Sequence, residues 1–151
     1  LSLEGHNIEV INGSVSGSTT AGGLNIAEWT LSENNIDLMI LCLGANDMLR
    51  GINPKETKNN LIEIIKIAKS KNIKVIIAGM IAPTSHGTNY KKSFDKIFKD
   101  LSNEYELQLI PFLLEGVAQK PEFNLSDGMH PNDKGTIIIS KTLKEAILKN
   151  L

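Results

Sequence analysis

Short apolar, β-branched runs alternate along this chain with longer stretches of helical period, and few architectures accommodate that alternation. The runs are Asn7–Ile11, Asp37–Leu43, Lys74–Gly79 and Leu107–Ile110. A modest helix is expected over Leu24–Glu33, with Leu24, Ala27 and Leu31 on one face. Asn53-Pro54-x-Glu56 is a helix start, with a capping Asn, Pro at the first helical position and an acidic first turn. Leu61, Ile64, Ile65 and Ala68 then recur at i, i+3, i+4 and i+7, up to Lys71-Asn72. Tyr90, Phe94, Ile97, Phe98 and Leu101 form the cleanest stripe. Asn132 caps a last helix with Ile139, Leu143, Ala146 and Ile147 inward. Strands joined by such helices make a parallel sheet covered on both faces. No internal repeat or low-complexity tract interrupts the pattern.

Composition narrows the class further. The 151 residues fit a single domain spanning residues 1–151. Sixteen Lys and Arg against seventeen Asp and Glu leave a net charge of −1, which gives no electrostatic footprint for nucleic acid. At 41% apolar, the chain has the means to build a core and is not a disordered segment. No apolar run approaches the roughly 20 residues of a membrane helix. The single cysteine, Cys42, permits no internal disulfide and reads as a small hydrophobe in a buried central strand. Trp29 is expected to pack its helix onto the sheet.

Parallel α/β sheets bind ligands beyond the carboxyl ends of their strands. The loops to inspect are therefore Asn12–Gly23, Gly44–Asn53, Met80–Asn89 and Pro111–Asn132. Asp127-Gly128-Met129-His130-Pro131 spaces a carboxylate three residues from an imidazole, so Asp127 can hold one ring nitrogen and leave the other as a base. The plain alternative is a turn and cap. Gly44-Ala45-Asn46-Asp47 follows a strand directly, and Asn46 offers a neutral N–H donor for a developing oxyanion; an Asx turn is the alternative. In Ser14–Thr19, Gly17 allows close backbone approach and offers its own N–H; the alternative is a flexible surface loop. A phosphate-binding loop is excluded, because neither G-x-x-x-x-G-K-[ST] nor G-x-G-x-x-G occurs. Arg50, the only arginine, either braces the Gly44 loop or is solvated. Together these loops hold the donors and the acid–base pair of an acyl-transfer site that lacks only its nucleophile.

Asn12–Thr19 (NGSVSGST), Leu43–Gly51 (LGANDMLRG), Leu109–Phe112 (LIPF) and Asp127–Pro131 (DGMHP) carry a family likeness over nearly the whole chain. The chain resembles the SGNH, or GDSL-type, hydrolases, in the branch of thioesterase I, lysophospholipases and bacterial arylesterases. The resemblance implies a flavodoxin-like three-layer α/β/α fold with a parallel sheet of order 2-1-3-4-5. It implies His130 as general base, Asp127 as its orienting partner, and Gly17 and Asn46 as oxyanion-hole donors. It implies a serine esterase or thioesterase acting on aryl or acyl esters, acyl thioesters or lysophospholipids, with no cofactor and no metal. A monomeric enzyme, a bacterial source and a periplasmic or secreted location also follow from the likeness.

The sequence departs from that pattern at the nucleophile, since no Gly-Asp-Ser-Leu occurs. Asn7–Ile11 aligns with the family's second strand, so the first strand and its serine are expected upstream of residue 1. Ser16, Ser18 and Ser126 do not follow a buried strand on a sharp turn into a helix, as a nucleophile elbow requires. Met80, Ile81, Leu113, Leu114 and Val117 either line an acyl slot or cover the sheet. Two rival readings stand beside the esterase. One is a metal site of Asp127, His130 and His86 or His6, which falls short of a convincing set of three ligands. The other is an inactive fragment or a non-catalytic binding domain. The chain alone is then expected to be marginally stable, because a gap in the sheet leaves backbone groups unpaired.

Overall fold

The computed structural model describes residues 5–32 and 35–151. In chain order the elements are α1 (Thr20–Thr30), β1 (Leu38–Leu41), α2 (Ala45–Leu49), α3 (Pro54–Ser70), β2 (Lys74–Ala78), α4 (Thr88–Tyr105), β3 (Gln108–Ile110) and α5 (Asp133–Leu148). Short 3-10 turns stand at Thr84–His86 and Pro121–Phe123. The three strands pair in parallel in the order β1-β2-β3, with Leu38 opposite Lys74 and Ile76 opposite Gln108.

Alternation along the strands sorts side chains onto two faces. Met39, Leu41, Val75, Ile77 and Leu109 join a core with Leu61, Ile64, Ile65 and Ala68 of α3 and Phe94, Ile97, Phe98 and Leu101 of α4. Leu38, Ile76, Ala78 and Ile110 face the other way, onto Ile139, Leu143, Ala146 and Ile147 of α5. The result is the expected α/β/α layering. The stripes read from the sequence are the buried faces: Leu61, Ile65, Phe94 and Leu101 are wholly shielded from water. Each such side chain contributes about 1.5–3 kcal/mol relative to exposure. The helix starts follow their chemistry as well. Asn53 Oδ1 accepts from the Lys55 N–H at 2.9 Å, and Asn132 Oδ1 accepts from Lys134 and Gly135.

Four expectations need correction. Asn7–Ile11 is not a strand, and Val10 and Ile11 are exposed. A strand exists only through its ladder, and among the described residues none pairs with this segment or occupies the outer side of β1. β1 is accordingly an edge, and only Leu41 of its four residues is fully buried. Cys42 is exposed rather than a core residue, because it follows that edge strand; desolvation by the protein beside it still raises its thiol pKa. Trp29 is 78% exposed. It lies two positions from buried Ala27 and from buried Leu31 at the C-cap of α1, and residues two apart on a helix do not share a face. The end of the expected first helix, Glu33, falls outside the described residues.

Candidate active site

The carboxyl ends of β1, β2 and β3 open into the loops that hold the candidate residues other than Gly17, which lies in the turn before α1. Beyond β1 the chain turns at Gly44 into a helix, α2, where the sequence suggested a simple turn. Gly44 takes φ +119°, and a Cβ there would meet the Phe98 and Phe94 rings at 3.4 and 3.6 Å. The conformation therefore calls for glycine, while the space would take a Cβ at ordinary contact. Those rings belong to a ladder that runs from His86 in the preceding 3-10 turn along α4, with centroids of His86–Tyr90, Tyr90–Phe94 and Phe94–Phe98 at 5.1, 6.0 and 5.7 Å. Tyr90 Oη donates to the Ile52 carbonyl at 3.0 Å, so the same ladder holds the end of the LRG segment.

Asn46, in α2, turns its amide nitrogen onto the Ser18 carbonyl at 3.0 Å. A carboxamide nitrogen carries two hydrogens, so this bond leaves one for a ligand. Arg50 Nη2 donates to the Gly17 carbonyl at 3.2 Å, which resolves its role in favour of a brace. Gly17 adopts φ +73° in an exposed turn. Among the described residues nothing accepts from its N–H. The structure thus brings Gly17 and Asn46 together through two backbone carbonyls.

Sequence reasoning missed the residue beneath them. Asp47 is 1% exposed. Its carboxylate accepts from the Thr20 N–H at 2.8 Å, from Thr20 Oγ1, and from Thr57 Oγ1 at 3.2 Å. Asn60 Nδ2 completes the chain by donating to Thr20 Oγ1 at 3.1 Å. The negative charge lies at the N-terminus of α1, where exposed N–H groups and the helix dipole favour it. A hydrogen bond to such a buried carboxylate contributes about 1.5–3 kcal/mol. The only local signal for this role was an acidic residue directly after Asn46.

Beyond β3, a long loop is folded by two asparagines. Asn124 Nδ2 donates to the Val117 and Lys120 carbonyls at 2.8 and 2.7 Å. Asn132 Nδ2 donates to the Glu122 and Asn124 carbonyls, both at 3.1 Å. The strands of this turn meet in a bridge between Asn124 and Pro131 and a Leu125 N–H bond to the His130 carbonyl at 2.7 Å. At its tip, His130 Nδ1 pairs with Asp127 Oδ2 at 2.7 Å. The other carboxylate oxygen accepts from the Met129 and His130 N–H groups at 2.8 and 2.9 Å. The His130 N–H, then its ring, then the Met129 N–H hold the Asp127 carboxyl down at about 2. With Nδ1 so engaged, Nε2 of the exposed imidazole is left for proton transfer. An open groove of about 340 Å³, lined by Gln119, Lys120, Asn124, Leu125 and Ser126, runs beside this turn.

The apolar candidates divide. Leu113 is buried against α5, and Val117 is wholly buried. Leu113 covers the sheet, and Val117 packs near Gly135 at the start of α5. Met80 and Leu114 are half-buried, whereas Ile81 is exposed. The Met80–Ile81 segment is fixed by Ala82, whose N–H donates to Asp95 and whose carbonyl accepts from Lys91, both at 2.7 Å. Ser16 and Ser126 are exposed, and Ser18 Oγ donates to the Thr19 carbonyl at 3.2 Å. Among the described residues no serine bonds to His130, and no group of three or more His, Cys, Asp or Glu side chains could hold a metal. No helix there is long and apolar enough to cross a membrane.

The α/β/α fold thus carries an Asp–His pair in the loop beyond β3 and the Asn46 amide beyond β1, with the Gly17 N–H in the turn before α1. Comparison with known proteins makes the assignment specific. Residues 2–136 match the GDSL-like lipase/acylhydrolase family. The chain is 36% identical over 147 residues to an arylesterase of Vibrio mimicus, covering 97% of this chain and 74% of that protein. It is 33% identical over 123 residues to thioesterase 1/protease 1/lysophospholipase L1 of Escherichia coli K12, covering 82% of this chain and 59% of that protein. Among solved structures, that of TesA superposes with a TM-score of 0.93 at 30% identity, over 99% of this chain and 83% of the other. The psychrotrophic esterase EstA of Pseudoalteromonas sp. gives 0.93 at 29% identity, over 98% and 81%. This chain belongs to the GDSL-like lipase/acylhydrolase family.

Proposed function

We propose that these residues form the acid–base and oxyanion parts of a serine ester hydrolase that works through an acyl-enzyme. The nucleophilic serine lies upstream of residue 1 in the full-length enzyme. The observation that carries the reading is the 2.7 Å contact of His130 Nδ1 with Asp127 Oδ2, which leaves Nε2 as the base. The serine hydroxyl attacks the carbonyl carbon of an ester or thioester as Nε2 takes its proton. The Gly17 N–H and the second hydrogen of the Asn46 amide hold the tetrahedral oxyanion. The imidazolium then gives its proton to the departing alcohol or thiol. Water, deprotonated by the same nitrogen, releases the acid and restores the serine.

The substrates are aryl or acyl esters, acyl thioesters or lysophospholipids, with Met80, Ile81 and Leu114 lining the acyl side. Support comes from the family membership and from relatives named arylesterase and thioesterase. The test is His130→Ala in the full-length enzyme, with p-nitrophenyl butyrate. Turnover should fall by about 10⁶-fold; activity retained by this variant removes the reading.

A further inference from the structure

We infer that Asp47 is the positioning residue of the oxyanion half, a role that rests on the ester-hydrolase reading above. Its carboxylate makes no bond within its own turn. All three donors come from other elements: two from Thr20 at the start of α1 and one from Thr57 in α3. Thr20 follows Gly17 by three residues, and Asn46 immediately precedes Asp47. One buried carboxylate therefore fixes the carriers of both amide donors against α3. The chain Asn60–Thr20–Asp47–Thr57 gives each hydroxyl its partner, and no buried side-chain nitrogen or oxygen among the described residues is left unpaired.

Both carboxylate oxygens are used as acceptors. Asparagine in place of Asp47 would set an NH₂ group against the Thr20 N–H, donor against donor, or against the Thr20 and Thr57 hydroxyls, which would have to turn from donating to accepting and break the chain from Asn60. The start of α1 would then shift relative to α2, and the Gly17 N–H with it. An oxyanion donor acts only near 3 Å from where the charge develops, so a small displacement lowers turnover while leaving substrate binding largely intact.

The experiment compares Asp47→Asn, Thr57→Val and Thr57→Ser in the full-length enzyme, assayed with p-nitrophenyl butyrate well below each variant's Tm. Asp47→Asn should lower kcat by about 10–100-fold with KM within about twofold. Thr57→Val should lower kcat less, by about 3–10-fold, and Thr57→Ser, which keeps the hydroxyl, should recover most of that loss. Unchanged kcat in folded Asp47→Asn and Thr57→Val, or a loss confined to KM or to Tm, overturns the positioning role. Where Asp47→Asn does not fold, the Thr57 pair decides by the same criterion. His130→Ala run alongside separates the two claims. Activity surviving in it removes the ester-hydrolase reading itself, whereas an inactive His130→Ala beside unimpaired Asp47 and Thr57 variants overturns only this inference.

Discussion

The two halves of the site are held in opposite ways. The Gly17–Asn46 half rests on a buried carboxylate and on hydrogen bonds between residues 10–40 positions apart in sequence. The Asp127–His130 half is exposed, and its defining bonds span two or three positions. The difference matches the two tasks proposed for them. Oxyanion donors must be fixed in advance, because their value lies in not having to reorganise. A general base must exchange protons with substrate and water, and an exposed imidazole on a local hairpin can do so.

That contrast can be broken or sharpened by substitutions in each half of the full-length enzyme. The largest effect beyond His130 itself is expected at Asp127. Asp127→Asn should lower kcat by about 10³-fold or more, because an amide no longer secures the Nδ1–H tautomer. A loss below tenfold would make the exposed pair dispensable. Asn46→Ala follows, with a loss of about 100–1000-fold in kcat; unchanged turnover would take Asn46 out of the site. Arg50→Ala should cost no more than about fivefold, since its bond to Gly17 is exposed and such contacts are weak. A loss as large as that of Asn46→Ala would move the centre of the oxyanion half from Asp47 to Arg50.

The smallest effect is a titration. Asp127 holds its proton less tightly in the folded chain, at about 2, than in the unfolded chain. Its contribution to stability is therefore complete above the unfolded value of about 3.9 and disappears as pH falls through about 2. Carboxyl-carbon NMR should place its midpoint near 2. A midpoint at the ordinary carboxylate value would show that the three bonds to Met129 and His130 do not persist in solution.

The same contrast decides what could be read without coordinates. The Asp127–His130 pair was legible because its geometry is written within four consecutive residues. The faces of α3 and α4 were legible because helical period and burial coincide, as with Leu61, Ile65, Phe94 and Leu101. Asp47 was not, since its partners Thr20 and Thr57 are common residue types brought to it only by packing. Asn124 escaped for the same reason: its two acceptors are main-chain carbonyls of a loop without period. Asn7–Ile11 shows the converse error. Its composition favours a strand, but a strand needs a neighbouring ladder, and no described residue provides one. Trp29 was misplaced because its size suggested burial, while its position on α1 does not share the face of Ala27 and Leu31.

Covalent labelling tests the central claim most directly. The full-length enzyme is treated with a fluorophosphonate ester, and the modified residue is identified by peptide mass spectrometry. The account predicts one adduct, on a serine upstream of residue 1, formed rapidly in the parent enzyme and far more slowly in His130→Ala. An adduct on Ser16, Ser18 or Ser126, or labelling at an undiminished rate in His130→Ala, would contradict it.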